Sequence, residues 1–105
     1  MGLINSFVVS SFEIFLFYNF IYTNMWKEED NKLSKEFVCK DFVNAFMFMT
    51  QVATVINDMD HHPEWSNIYN KVNISLSTHD AGDTVTDRDR QMAKRIDEIF
   101  NTQQF

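Results

Sequence analysis

The clearest hydrophobic pattern in the chain lies between residues 41 and 58, where apolar side chains recur every three or four positions. This spacing predicts a helix with one buried face. Asp41 is a suitable N-cap residue, and its negative charge also complements the helix dipole. The predicted buried face comprises Phe42, Ala45, Phe46, Met49, Val52, Ala53 and Ile56. The apolar residues off this face, which a sheet or a subunit interface could cover, are Val43, Met47, Phe48 and Val55.

Two further helices are predicted near the ends of the chain. Ser10 and Glu13 form a capping-box pattern, so we expect a first helix over residues 11–22, amphipathic and docked on the domain. Thr86, three residues before Asp89, is a suitable cap for a final helix. The apolar face of the final helix comprises Met92, Ala93, Ile96, Ile99 and Phe100.

Two pairs of strands are predicted between the helices. The polar stretch 27–35 indicates a hairpin that joins a strand near Trp26 to a strand near residues 33–39. The residues expected on one side of this second strand are Leu33, Phe37 and Cys39.

The second strand pair follows Pro63, where the hydrophobic period changes to two. Alternation of apolar with polar residues is typical of a half-buried strand. Ile68 and Tyr69 are assigned to a preceding strand or its edge, and residues 81–83 end the pattern. The alternating apolar residues are Val72, Ile74 and Leu76.

The order of these elements, α-β-β-α-β-β-α, predicts an α+β fold. We expect a four-stranded antiparallel sheet with three helices packed on one face. The 105 residues suffice for a single domain, 1–105, with a thin hydrophobic core. Oligomerisation is a common way for such a small domain to bury more surface.

Charge and cysteine content narrow the functional classes. The formal net charge of −6 argues against direct nucleic-acid binding, since Lys and Arg supply most of the affinity for phosphates. The single Cys39 excludes an internal disulfide and favours a reducing compartment, so we expect a cytoplasmic protein that could also be nuclear.

The apolar N-terminal stretch, residues 3–22, raises the question of membrane association. It lacks a positively charged start, and Glu13, Asn5 and Asn19 interrupt it, which disfavours a signal peptide or a spanning helix. Gly2 with Ser6 fits the short N-myristoylation pattern. A docked helix is the preferred interpretation.

All three histidines lie at predicted element ends. His61 and His62 follow the long helix, and His79 follows the alternating strand. Each group has a flanking acid, Asp60 or Asp80, that could orient an imidazole or raise its pKa. Adjacent histidines do not match zinc-binding spacings, so no metal is expected, and nothing in the sequence pairs a cysteine with a histidine. Polar loop residues without a catalytic role remain an alternative.

The segment Asp60-His61-His62-Pro63-Glu64-Trp65, followed by Tyr69-Asn70-Lys71-Val72 and Leu76-Ser77-Thr78-His79, resembles the signature of the pterin-4a-carbinolamine dehydratases. The resemblance runs from about Trp26 to Phe100, with Asp89 as the equivalent of a family aspartate. Two features depart from the family: Asn57 replaces an acid, and the segment 80–89 is one residue longer. Residues 1–22 match poorly and form a variable N-terminal helix or extension.

The resemblance implies an enzyme that removes water from a 4a-hydroxytetrahydropterin and gives the quinonoid dihydropterin, as in tetrahydrobiopterin recycling. It implies no cofactor. Histidine side chains would act as general acid and base: His62 and His79 at the leaving hydroxyl and His61 at the ring proton. The other expected substrate-binding residues are Trp26, Asp60, Ser77, Thr78, Asp80 and Asp89.

The resemblance also implies a homotetramer or homodimer built through helix contacts. Animal members of the family act as dimerisation cofactors for a homeodomain transcription factor. An interaction module that binds a helical partner is therefore the alternative function.

Overall fold

A computed structural model describes residues 10–105 of the protein, without the side chains of residues 20–24. The elements follow the predicted order. The helices are α1 (Ser11–Asn24), α2 (Phe42–Met59) and α3 (Asp87–Gln103). The strands are β1 (Lys27–Glu29), β2 (Lys32–Val38), β3 (Glu64–Ile68) and β4 (Lys71–Leu76). The α+β class and the four-stranded antiparallel sheet are confirmed.

The sheet has the strand order β1-β2-β4-β3, so β2 and β4 lie at its centre. Leu33 of β2 is paired with Leu76 of β4, and Phe37 is paired with Val72. These four side chains lie on the buried face, as the period of two predicts. On the opposite face, the hydroxyls of the paired Ser34 and Ser75 are 2.8 Å apart.

Helices α2 and α3 contact each other, and their buried residues share one hydrophobic core with β2 and β4. The ring centroid of Phe37 lies 4.9 Å from the ring centroid of Phe48 and 5.0 Å from that of Phe100. Met92 and Ile96 of α3 are also fully buried. This core fixes the end of α2 relative to the end of β4.

The first hairpin turns through Asp30 and Asn31, whose φ angles are 52° and 60°. Two consecutive left-handed residues form the turn that suits the twist of a two-residue hairpin, and Asp and Asn tolerate this conformation. The predicted hairpin is therefore confirmed. The predicted placement of Tyr69 is corrected: it lies in the β3–β4 turn, also with positive φ.

The predicted buried face of α2 is partly wrong. Phe42, Phe46 and Ala53 are exposed, whereas Phe48 and Val55 are buried. The helix is apolar on more than one side, so periodicity alone could not select the side that meets the sheet. The Asp41 cap is confirmed, because its carboxylate accepts the Asn44 backbone N–H at 2.8 Å.

The capping box at the start of α1 is confirmed, but docking of an amphipathic helix is not. The Glu13 N–H donates to Ser10 Oγ at 3.1 Å, and the Ser10 N–H donates to the Glu13 carboxylate at 3.3 Å. Large apolar side chains are exposed in succession along α1: Phe12, Ile14, Phe15, Leu16, Phe17 and Tyr18. Among residues 10–105, no helix is both long and apolar enough to cross a membrane. The myristoylation pattern at Gly2 lies outside the described residues.

Candidate active site

The site is built where α2 ends, β4 ends and α3 begins. Asp60, the C-cap of α2, has a φ of 47°, and its N–H donates to the carbonyls of Asn57 and Ile56. The His61 N–H donates to the Ile56 carbonyl at 3.3 Å. This left-handed cap turns the chain sharply, and His61 becomes buried while its neighbour does not.

A buried dyad, His61 and Asp89, forms the centre of the site. His61 Nε2 lies 2.5 Å from Asp89 Oδ1, and the two side chains are 7% and 0% exposed. The other carboxylate oxygen, Oδ2, accepts the Thr78 hydroxyl at 2.8 Å and the Thr86 N–H at 2.8 Å. Three segments distant in sequence therefore meet on one carboxylate.

The pKa of Asp89 is lowered from its ordinary value of 3.8. Burial alone would raise this pKa, but the hydrogen bonds from Thr86, His61 and Thr78 outweigh burial. An ionised carboxylate only accepts hydrogen bonds, so the proton between the two dyad residues lies on His61 Nε2. When the imidazole is neutral, Nδ1 is then the nitrogen able to accept a proton.

The other ring nitrogen of His61, Nδ1, takes no part in the contact with Asp89. It forms no hydrogen bond with the described residues, and among these residues no buried side-chain nitrogen or oxygen lacks a partner. Nδ1 therefore keeps some solvent-accessible surface, although the side chain as a whole is only 7% exposed. A small molecule could contact it there.

The hydroxyl pair of Thr78 and Thr86 extends the buried dyad. The two oxygens are 2.6 Å apart. Because the single hydroxyl proton of Thr78 is donated to Asp89, Thr86 must donate to Thr78. The predicted Thr86 cap of α3 is confirmed. Asp89, the acid of this capping box, also binds His61, so the start of α3 and the site form one hydrogen-bond network.

His62 lies outside this network. Its imidazole is 73% exposed, and Nε2 is 3.5 Å from the Asp60 carboxylate, which is itself 94% exposed. This distance exceeds that of an ordinary N–H···O hydrogen bond. Asp60 is thus close enough to attract a protonated His62, but it does not fix the ring.

His79 is also open to solvent, with 89% of its side chain exposed. Its Nδ1 lies 2.9 Å from Asp83 Oδ1, and this hydrogen bond, together with the charges of Asp83 and Asp80, raises the pKa of the imidazole. The acid predicted to orient this ring was Asp80. The structure gives the hydrogen bond to Asp83 instead, while the charge of Asp80 contributes to the raised pKa of His79.

The predicted site residues therefore converge only in part. Asp89 is in contact with both His61 and Thr78, and Ser77, which precedes Thr78 in sequence, is half-buried. His79 directly follows Thr78 but extends into solvent, so the structure does not enclose the three imidazoles in one pocket. Their joint action on one substrate stays a prediction.

Trp26 lies between the core and a surface groove. Its Nε1–H donates to the Asp97 carboxylate at 3.1 Å, and the same carboxylate accepts Lys35 Nζ at 2.9 Å. The indole packs edge-on against Phe37 with 5.7 Å between ring centroids. Its other side borders a groove of 590 Å³ along α3 that Arg90 also lines.

Arg88 is a site residue that the sequence analysis missed. Its guanidinium donates to the carbonyls of Met59 and Asp60 at 2.9 and 3.1 Å, and so holds the end of α2 immediately before the histidine pair. One signal was present in the sequence: a cation in the first turn of a helix opposes the helix dipole, which suggests a specific partner.

Two other expectations concern acids and cysteine. Asp58, next to Asn57, forms an ion pair with Arg95 at 2.9 Å and not with a histidine. Cys39 is buried at the opposite end of the sheet from His79, since its N–H donates to the Asn70 carbonyl beyond the start of β4. No group of three His, Cys, Asp or Glu within residues 10–105 could hold a metal ion.

Residues 18–99 match the family described as pterin 4 alpha carbinolamine dehydratase. The chain belongs to this family. A relative from Prochlorococcus marinus strain NATL2A, which bears the provisional name pterin-4-alpha-carbinolamine dehydratase, is 44% identical over 77 residues, or 73% of this chain and 80% of the relative. The family assignment confirms the resemblance seen in the histidine motif.

Solved structures agree with the family assignment. A transcriptional coactivator/pterin dehydratase from Brucella melitensis superposes with a TM-score of 0.68 and 34% identity, over 87% of this chain and 96% of that protein. A pterin dehydratase-like RuBisCO assembly factor of the alpha-carboxysome gives a TM-score of 0.62 over 71% and 88% of the two chains. At 23% identity, this second likeness shows the fold alone.

Proposed function

We propose that the protein dehydrates a 4a-hydroxytetrahydropterin to the quinonoid dihydropterin, one step in the recycling of tetrahydrobiopterin. Membership of the dehydratase family supports this reaction class. The observation that carries the proposal is the buried dyad, which holds one motif histidine in a defined tautomer next to the end of β4.

The reaction requires two proton transfers. The C4a–O bond breaks as a proton is delivered to the hydroxyl, which leaves as water. The proton on N5 is removed, and its bonding electrons form the C4a=N5 double bond. No electrons are gained or lost overall. Imidazoles suit both transfers, because their ordinary pKa of about 6.5 allows donation and acceptance near neutral pH.

The residue roles follow from accessibility and partners. His61 presents Nδ1 and is assigned to the ring proton at N5. His62 and His79 are exposed and are assigned to the leaving hydroxyl. The order of acid and base between these two is left open. A closed arrangement of the three rings would form with the substrate between them, since catalytic contacts often tighten only in the complex.

The remaining predicted residues would bind the ring system. Backbone groups of residues 77–80 are proposed to hydrogen-bond the pterin, and Asp60 and Asp80 would place negative charge near the exposed imidazoles. Trp26 is proposed to stack on or cover the ring from the groove along α3.

The direct test measures turnover of freshly generated 4a-hydroxytetrahydropterin by the wild type and by His61→Ala, His62→Ala and His79→Ala. A well-placed acid or base contributes roughly 10²- to 10⁴-fold, so losses of that order are expected. Arg95→Gln, which removes a surface ion pair, serves as the control and should retain the wild-type rate. Unchanged rates in all three histidine variants would exclude histidine catalysis.

We also propose that α2 forms a subunit contact, giving a homodimer or homotetramer. Four large apolar side chains of α2 are exposed, and exposed apolar patches mark interaction sites. They are Phe42, Val43, Phe46 and Met47. The same surface is the one observation that favours the alternative function, an interaction module for a helical protein partner. Activity in the pure protein would favour the enzyme; a stable hetero-complex without turnover would favour the module.

A further inference from the structure

The loop after β4 places Asp83 directly on His79. Thr78 N–H donates to the Thr84 carbonyl at 2.8 Å, which closes the loop like a short strand pair. Within it, the N–H groups of Gly82 and Asp83 donate to the His79 carbonyl at 3.0 and 3.4 Å. The backbone therefore returns to His79 within four residues and brings the Asp83 side chain to the ring.

The base of this loop is anchored in the buried dyad. Thr78, where the loop closes, donates its hydroxyl to Asp89. The pair formed by His79 and Asp83 is exposed, but the backbone that carries it is tied to the same carboxylate that holds His61. A change at Asp83 can thus alter His79 without breaking the dyad.

Asp83 occupies an unusual backbone conformation. Its φ is 56°, and it follows Gly82, whose φ is 88°. A left-handed conformation is costly for most residues but accessible to Asp and Asn. Asn at this position would therefore keep the backbone and the size of the side chain, while removing the carboxylate.

We propose that Asp83 is a positioning residue for His79, which fixes Nδ1–H and so presents Nε2 to the substrate. This inference deepens the proposed function and rests on it. The carboxylate can only accept, so the hydrogen of the 2.9 Å contact lies on Nδ1. The aspartate that holds His61 binds Nε2 instead of Nδ1. His61 and His79 would therefore present different ring nitrogens to the same substrate.

The test compares Asp83→Asn with the wild type. Nitrogen-15 NMR of the imidazoles should show neutral His79 with its hydrogen on Nδ1 in the wild type and a shift towards Nε2–H in the variant. The pKa of His79 should fall, because the hydrogen bond and the charge of Asp83 both raise it in the wild type. The limb of the pH–rate profile that His79 governs should move to lower pH, with turnover reduced roughly two- to fivefold.

Asp30→Asn is the matched control, because Asp30 is also an exposed aspartate with positive φ and has no bond to a histidine. Asp80→Asn distinguishes the effects of the two acids near His79. This substitution should lower the pKa of His79 without changing its tautomer, because Asp80 acts on the ring through its charge alone. An unchanged His79 tautomer and pKa in Asp83→Asn would overturn the inference, even if His79→Ala abolishes turnover. If His79→Ala leaves turnover intact, the assignment of His79 itself fails.

Discussion

Asp89 is the residue on which most of the site depends. Its carboxylate accepts hydrogen bonds from His61, Thr78 and Thr86, and it lies in the first turn of α3, where a negative charge complements the helix dipole. One side chain thus contributes to helix capping, to the packing of three segments and to the tautomer of a histidine.

We predict that Asp89→Asn lowers the free energy of unfolding at pH 7 by about 1–3 kcal/mol, since buried partners lose a charged acceptor. The pKa of Asp89 is lowered in the folded state, so its contribution is present above about pH 4 and is lost as the pH falls through that lowered pKa. Urea unfolding at pH 7 and at pH 3 measures both effects. The stability difference between wild type and variant should shrink at the acidic pH; a constant difference would contradict this account.

At the scale of the elements, the site is a junction of helix and strand ends. The hairpins and helix caps could be predicted, because they depend on local chemistry: Asp30 with Asn31, Ser10 with Glu13, and Thr86 with Asp89. The buried side of α2 could not, since Phe46 and Phe48 are equally apolar. The Asp83 contact could not either, because it depends on two consecutive left-handed residues that no sequence period reveals.

Arg88 and Arg95 offer a matched pair of tests at this scale. Both lie on α3 and both contact the end of α2, but Arg88 binds two backbone carbonyls and Arg95 binds the Asp58 side chain. We predict that Arg88→Gln speeds amide hydrogen exchange at His61 by about tenfold, because charge-assisted bonds to the helix end are lost.

Arg95→Gln should change this exchange by less than about threefold, since exposed ion pairs contribute little. Equal effects of the two substitutions would mean that Arg88 has no special role in holding the histidine pair.

At the scale of the whole molecule, the exposed apolar side of α2 is a feature that a single chain leaves unexplained. Phe46 is 57% exposed and Phe42 is 48% exposed, and their rings lie 6.0 Å apart. A thin core in a chain of 105 residues makes additional burial between subunits favourable. The sequence predicted a second covered side of α2, although it assigned some residues to the wrong side.

We predict that the wild type is larger than its 12.5 kDa monomer in light scattering and that Phe46→Glu reduces the particle size. A charge in an apolar contact is costly, whereas on the exposed surface of a monomer it is tolerated. Gln91→Glu, which adds the same charge at an exposed position of α3, is the control. A monomeric wild type, or equal sizes for all three proteins, would remove α2 as a subunit contact.

The most direct test of the central claim is a crystal structure of the protein with a bound dihydropterin. We predict that the ring lies where α2 and β4 end, with its C4a–N5 edge within hydrogen-bonding reach of His61 Nδ1 and of an imidazole from His62 or His79. A pterin bound elsewhere, with the three imidazoles still apart and facing solvent, would contradict it.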